Sequence, residues 1–234
     1  MKIFYTPTLA KTTKTIALDA EESQHAVKVL RCHAGENITL LNGNGIVAEA
    51  EVLKPNPKAC EIGINRITEQ QKPQTEIHIA LANLKKRDRV EWFIEKSVEL
   101  GASSVILFRA DHTEKLTIDE DRLRKIAISA LKQSGNAWLP ELHIYQSLKM
   151  LLDDADAAHK FIAHCETDQT QLLKHAYTKG KNALVLIGPE GDFSKAEIQR
   201  SLENGFTPVS LGPLRLRAET AALTALLTLQ VVNM

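Results

Sequence analysis

At 234 residues, with 44% hydrophobic and 25% charged side chains, the chain is long enough for one large domain or two small ones with a proper core. Twenty-nine basic against 29 acidic residues leave a net charge of zero, so any case for nucleic acid binding must come from local patches. No run approaches the roughly 20 apolar residues of a membrane span, and MKIFYTPTLAKTTK lacks the apolar core of a secretory signal; the expectation is a cytoplasmic protein.

Cys32, Cys60 and Cys165 are far apart and form no CxxC pair, which argues against a disulfide framework or a structural zinc site and for buried thiols. Asp19 is a candidate N-cap for a helix near 20–30, with Glu21 and Glu22 in its first turn. Ile38-Thr39-Leu40-Leu41 and Ile46 to Val52 flank Asn42-Gly43-Asn44-Gly45, a hairpin signal. Glu61 to Ile67 alternates like another strand, and the polar, proline-containing run Glu69 to Thr75 marks a domain boundary at 72/73. Gly43-Asn44-Gly45-Ile46-Val47-Ala48 nominally fits the dinucleotide pattern GxGxxA, but an alternating strand follows where that fingerprint needs a helix.

From Glu76 the style changes to alternating strands and helices. Ile77 to Leu81, Val105 to Phe108, Phe161 to Ala163 and Val185 to Ile187 read as strands. Val90, Phe93, Ile94 and Val98 mark a helix face ended by Gly101, a residue suited to a left-handed C-terminal turn. Leu123, Ile126, Ala127, Ala130 and Leu131 mark a second helix near 119–133. Further helices are expected near 170–179 and 195–204. The alternation implies an α/β unit with a mostly parallel sheet covered by helices on both faces.

The C-terminal stretch is the most informative. Val185-Leu186-Ile187 breaks into Gly188-Pro189-Glu190-Gly191-Asp192-Phe193-Ser194, and Val209-Ser210-Leu211-Gly212 leads into Leu214-Arg215-Leu216-Arg217-Ala218-Glu219-Thr220-Ala221-Ala222. Two strand ends rich in bare backbone suggest one pocket, because ligands of open α/β sheets bind at the carboxyl ends of strands. The simpler alternative is a strand-to-helix turn with Ser194 as N-cap and Glu197 as its capping-box partner, and both can hold at once.

GPEGDFS, LG and RLRAETAA, in that order, resemble the bacterial 16S ribosomal RNA uracil-N3 methyltransferases (RsmE type) of the SPOUT superfamily. The family more often reads GPEGGF and RTET, so Asp192 and Ala218 depart from its pattern. The resemblance extends upstream through His25-Ala26-Val27-Lys28-Val29-Leu30-Arg31, through Lys85 to Gly101, and through Gln133-Ser134-Gly135 with Pro140. It implies a PUA-like β-barrel over 1–72 and a SPOUT methyltransferase domain with a deep trefoil knot over 73–234. It further implies that Ile187, Gly188, Glu190, Gly191, Leu211, Gly212, Leu216 and Thr220 hold S-adenosylmethionine, and that the working unit is a homodimer paired through the C-terminal helix.

Taking N3 of uracil through methylation requires loss of the imide proton, and negative charge then spreads onto O2 and O4. An arginine at the pocket edge would stabilise that charge. Arg217 is the first choice, with Leu214 and Leu216 alternating against it as a buried face. Glu219 either takes the proton or orients Arg217; a carboxylate beside an arginine is a weak base, which favours orientation. Arg31, Lys85, Lys86, Arg87, Arg89, Arg122, Lys125 and Lys132 are individually ordinary wet-surface cations, but together they could neutralise phosphates of small-subunit 16S ribosomal RNA. The eight histidines show no metal spacing. Ala221 to Val232, AALTALLTLQVV, is apolar around nearly its whole circumference and needs cover on more than one side. The competing expectations are a relative acting on another base or a ribose 2′-OH, and a non-catalytic RNA-binding module. The exact nucleotide, and whether naked RNA or an assembled particle is the substrate, are not written in the sequence.

Overall fold

The computed structural model describes residues 2–113, 118–165 and 171–234. They form two compact units, Met1–Lys72 with Ile128–Leu139, and Pro73–Ala127 with Pro140–Met234.

The first unit is a five-stranded sheet of β1 (Ile3–Tyr5), β2 (Thr15–Ala17), β3 (Asn37–Leu41), β4 (Ile46–Lys54) and β5 (Glu61–Glu69), in the order β1-β3-β4-β5-β2. Only the β1–β3 pair is parallel. Alternate residues of β4, from Ile46 through Ala48 and Ala50 to Val52, turn inward onto Phe4, Leu40 and Ile62, as period-two patterning requires. The β3–β4 turn forms where expected, with Asn42 Oδ1 accepting from the amides of Asn44 and Ile46. Gly43 and Gly45 have φ of 75° and 85°. At Gly45 a Cβ would lie 2.4 Å from the Trp138 ring, so this glycine serves packing, not a dinucleotide.

Asp19 caps α1 (Ala20–Gln24) by accepting from the Glu22 amide, worth about 1 kcal/mol. The single helix expected to residue 30 does not continue as such. It widens into a π-helical turn over His25–Val29, closed by the Leu30 amide on the His25 carbonyl, and Arg31 follows at φ 51°.

The second unit runs β6 (Ile77–Ala82), α2 (Arg87–Glu99), β7 (Ser104–Phe108), α3 (Glu120–Ser134), β8 (Glu141–Tyr145), α4 (Leu148–Asp154) and β9 (His159–Ala163). It continues with β10 (Gln171–Leu172), α5 (Leu173–Ala176), β11 (Ala183–Ile187), α6 (Lys195–Glu203), β12 (Thr207–Ser210) and α7 (Ala218–Asn233). The C-terminal half of α3 is counted with the first unit. Seven strands pair in the order β10-β12-β9-β11-β6-β7-β8, all parallel. Ala80, Ala82, Ile106, Phe108, Leu184 and Leu186 meet Leu148, Leu151 and Leu152 of α4 on one face. The alternate set, including Ile79, Leu81 and Val185, points to the opposite face, and α7 packs on β6, β11 and α2. Burial on both faces is why these strands read as continuous apolar runs.

Two features depart from what the sequence pattern implies. The helix expected near 170–179 is a two-residue strand and a single helical turn, with Thr170 outside the described residues. β8 and α4 were not anticipated, because the edge strand ELHIY keeps polar side chains outward and lacks the apolar run of its neighbours. In α7, Leu226 and Leu229 are fully buried within the chain, while Leu227 and Val231 are 46% and 57% exposed. The uncovered stripe therefore lies on Leu227 and Val231. Among the described residues no helix is long and apolar enough to cross a membrane.

Candidate active site at the strand ends of the second unit

Because every strand of this sheet runs the same way, the loops that leave β6, β7, β11 and β12 emerge at one edge. Ile187 and Val209 both register with Ala163 of β9, which sets the Gly188 loop and the Leu211-Gly212 turn on either side of that strand's end.

The Gly188 loop is held by its neighbours. Ser194 caps α6 and its capping box with Glu197 is complete. The buried Glu197 carboxylate also accepts from the Asp111 amide at 2.9 Å, and the Ser194 hydroxyl donates to Asp111 at 2.7 Å. His112 Nδ1 donates to the carbonyls of Asp192 at 3.0 Å and Gly191 at 3.2 Å, and these bonds raise its pKa above the ordinary 6.5. The loop after β7 thus clamps the loop after β11. No motif in 109–113 announces this.

Asp192 stands where the resembled family more often has glycine, and the backbone shows why glycine suits: its φ is 60°, the left-handed region. Aspartate is among the few other residues that tolerate it. Its carboxylate adds what glycine lacks, accepting from the Cys165 amide and from its own neighbour Phe193, both at 2.8 Å. Cys165 is exposed, unlike the buried Cys32 and Cys60, so one of the three expected buried thiols is not buried.

Ile187 and Gly188 are buried, Glu190 and Gly191 exposed, and Leu211, Gly212, Leu216 and Thr220 half-buried. Gly212 has φ 137° and open space where a Cβ would project. A Cβ on Gly188 would instead press on Phe193 and Asp192 Oδ1 at 3.1–3.2 Å, so a larger residue there makes those side chains shift. Leu214 is 78% exposed, so the buried face expected from its alternation with Leu216 does not include it.

Arg217 is the N-cap residue of α7 and exposed, and its side chain makes no hydrogen bond or ion pair among the described residues. Glu219, in the first turn of α7, does not pair with it. Its Oε1 lies 3.5 Å from Nε of Arg89, and Arg89 Nη1 lies 3.7 Å from Glu190 Oε1. Glu219 Oε2 is buried without a hydrogen-bond partner among the described residues. The remaining cations sit apart from these groups in bonding. Arg122 forms a two-pronged pair with Glu91, and Lys132 pairs with Glu22 in the first unit. Arg31, Lys85, Lys86, Arg87 and Lys125 are exposed. Among the described residues, no three His, Cys, Asp or Glu side chains gather as a metal site.

Residues 70–230 match the model of an RNA methyltransferase domain, and residues 18–65 that of an RNA methyltransferase PUA domain. Over 227 residues the chain is 30% identical to ribosomal RNA small subunit methyltransferase E of Bacillus subtilis, covering 91% of this chain and 88% of the relative. Among solved structures, a probable rRNA-methyltransferase from Porphyromonas gingivalis superposes with a TM-score of 0.90 at 36% identity, covering 99% of both chains. A putative methyltransferase from Legionella pneumophila, solved in complex with the cofactor SAM, gives 0.87 at 32% identity, covering 98% of this chain and 96% of that one. With matches that span both units, the chain belongs to the RNA methyltransferase family whose members carry the name ribosomal RNA small subunit methyltransferase E.

Proposed function

We propose that the protein transfers a methyl group from S-adenosylmethionine to N3 of one uridine in 16S ribosomal RNA, as a cytoplasmic homodimer whose second unit carries a SPOUT-type knot. The observation that carries this reading is the meeting, at one sheet edge, of two bare-backbone turns with a buried carboxylate oxygen and an exposed arginine, both without partners among the described residues.

The residues fit the cofactor. Gly188, Gly191 and Gly212 offer backbone amides and carbonyls without intervening side chains, and Gly212 faces open space. Ile187, Leu211 and Leu216 supply apolar contact, and Glu190 and Thr220 supply polar atoms. When bound, S-adenosylmethionine supplies an electrophilic methyl whose bond to sulfur breaks as the new bond to nitrogen forms, the electron pair staying on sulfur.

The rest falls to the chain's own groups. Arg217, with no side-chain partner among the described residues, faces the uracil oxygens on which charge develops, a role worth about a hundredfold in rate. Glu219 Oε2 is an acceptor for the N3–H. Arg31, Lys85, Lys86, Arg87 and Lys125 hold RNA phosphates. Arg122 and Lys132 keep the same expected role, although each also serves an internal ion pair. The exposed Leu227 and Val231 stripe of α7 is the proposed dimer surface.

The test is mass-spectrometric mapping of 16S ribosomal RNA after incubation with the protein and S-adenosylmethionine, on both bare RNA and small subunits. A single added methyl on a uracil N3 is expected. Methylation of a ribose, of another base, or none on either substrate refutes the reading.

A further inference from the structure

Resting on that reading, we propose that Arg89 is a positioning residue of the reaction and not a phosphate contact. It gathers Glu219 and Glu190 at the strand edge and leaves Glu219 Oε2 bare to accept the N3–H of the substrate base.

Four observations carry this. First, Arg89 is drawn inward, with its side chain 22% exposed, while its neighbours Lys85, Lys86 and Arg87 are exposed. Second, its guanidinium lies within 4 Å of two carboxylates that reach it from different elements, Glu190 from the Gly188 loop and Glu219 from the first turn of α7. Third, a cation in the first turn of α2 opposes the positive end of that helix dipole, so its place there is explained by the two carboxylates and not by the helix. The Lys85 amide also donates to Glu190 Oε1, tying the same segment to the same loop.

The fourth observation concerns Glu219 itself. Its side chain is 7% exposed, Oε1 faces Arg89, and Oε2 is buried with no donor. An unmet buried acceptor opposes folding, and a water, an ion or a substrate group is what ordinarily meets one. The cluster of one guanidinium and two carboxylates carries one negative charge in excess, so it invites a donor. The N3–H of uracil is such a donor. In the step, the N–H bond breaks, its proton passes to Oε2, and the electron pair stays on N3. Arg89 acts through Glu219 by fixing which oxygen is offered.

The experiment compares wild type, Arg89→Met and Arg89→Lys on small subunits that lack the modification. For Arg89→Met, kcat falls about thirtyfold or more with the RNA KM within about threefold, while Arg89→Lys recovers most of the rate. Adding Arg89→Met to Glu219→Gln costs less than about threefold more. Independently of turnover, the salt dependence of RNA binding keeps its slope. A phosphate contact would instead lower the slope by about 0.7–0.9. A reduced salt slope with kcat preserved overturns the proposal, as does a Met variant of full activity. Should the Met variant melt far below wild type, the Lys variant decides by the same salt slope and by its kcat. A wild-type enzyme that methylates elsewhere than N3 overturns the parent reading. An enzyme active at N3 and indifferent to Arg89 overturns only this one.

Discussion

Asp192 offers a perturbation whose magnitude can be worked out beforehand. The residue sits at φ 60° and accepts two backbone hydrogen bonds at 2.8 Å, from Phe193 and from Cys165. Bonds to a carboxylate are worth about 1.5–3 kcal/mol each when sheltered; at this half-exposed site we take about 1 kcal/mol each. A Cβ in the left-handed region costs about 1 kcal/mol for alanine, while glycine pays nothing. Asp192→Ala therefore loses both bonds and keeps the strain the aspartate already carries, a loss of about 2 kcal/mol. Asp192→Gly loses the bonds but sheds the strain, a loss of about 1 kcal/mol, and Asn falls between. At about 2–4 °C per kcal/mol for a chain of this size, alanine lowers the melting temperature by roughly 4–8 °C and glycine by about half that. Calorimetric titration with S-adenosylmethionine should rank the variants in the same order, because the loop must be ordered to bind. If alanine is as well tolerated as glycine, the left-handed backbone is not what constrains this position and the argument fails.

The His112 clamp is pH-dependent, with a sign that follows from its raised pKa. Its contribution is fully present below about 6.5 and is lost as pH rises through the elevated value. Melting curves from pH 5.5 to 8.5 should show a component that His112→Gln removes, and an identical pH dependence in both proteins would refute it. Gly188→Val should distort the loop through Phe193 and Asp192, lowering both the melting temperature and cofactor affinity; loss of affinity with an unchanged melting temperature would contradict the packing account. Arg217→Ala should keep cofactor affinity within a few-fold and cut methylation about a hundredfold, and equal small losses would make it structural. Leu227→Glu with Val231→Glu should give a folded monomer by light scattering, whereas Leu226→Glu should unfold the subunit; a dimer that survives the double change rules out this helix face.

Much of the second unit was legible because its strands are buried on both faces, and Ile77 to Leu81 or Val185 to Ile187 have no other reading at that length. The turn residues were equally plain. Gly101 and Gly205 occupy φ of 74° and 80° at the ends of α2 and α6, and Ser194 and Glu197 close the predicted capping box. Where neither burial nor a special backbone angle speaks, the pattern is silent. The edge strand β8 and the π-helical turn after Gln24 are held by partners distant in sequence or by a single altered hydrogen bond, and local composition records neither.

The same limit explains the one misjudged set of charges. In sequence, Arg89 belongs to the run Lys85 to Arg89 and Glu219 to the run Arg215 to Glu219, so proximity along the chain pairs Glu219 with Arg217. In space, a helix's first turn points its residues at whatever crosses the strand ends, and what crosses there comes from a hundred residues away. Glu219 meets Arg89 across 130 positions and Glu190 meets the Lys85 amide across 105. Charge runs therefore reveal that cations are present at a site but not which of them are spent inside it. Contacts made in space settle that division: the half-buried Arg89 and the exposed Arg122 are committed to carboxylates, and Arg217, with its side chain unbonded among the described residues, remains available to a substrate.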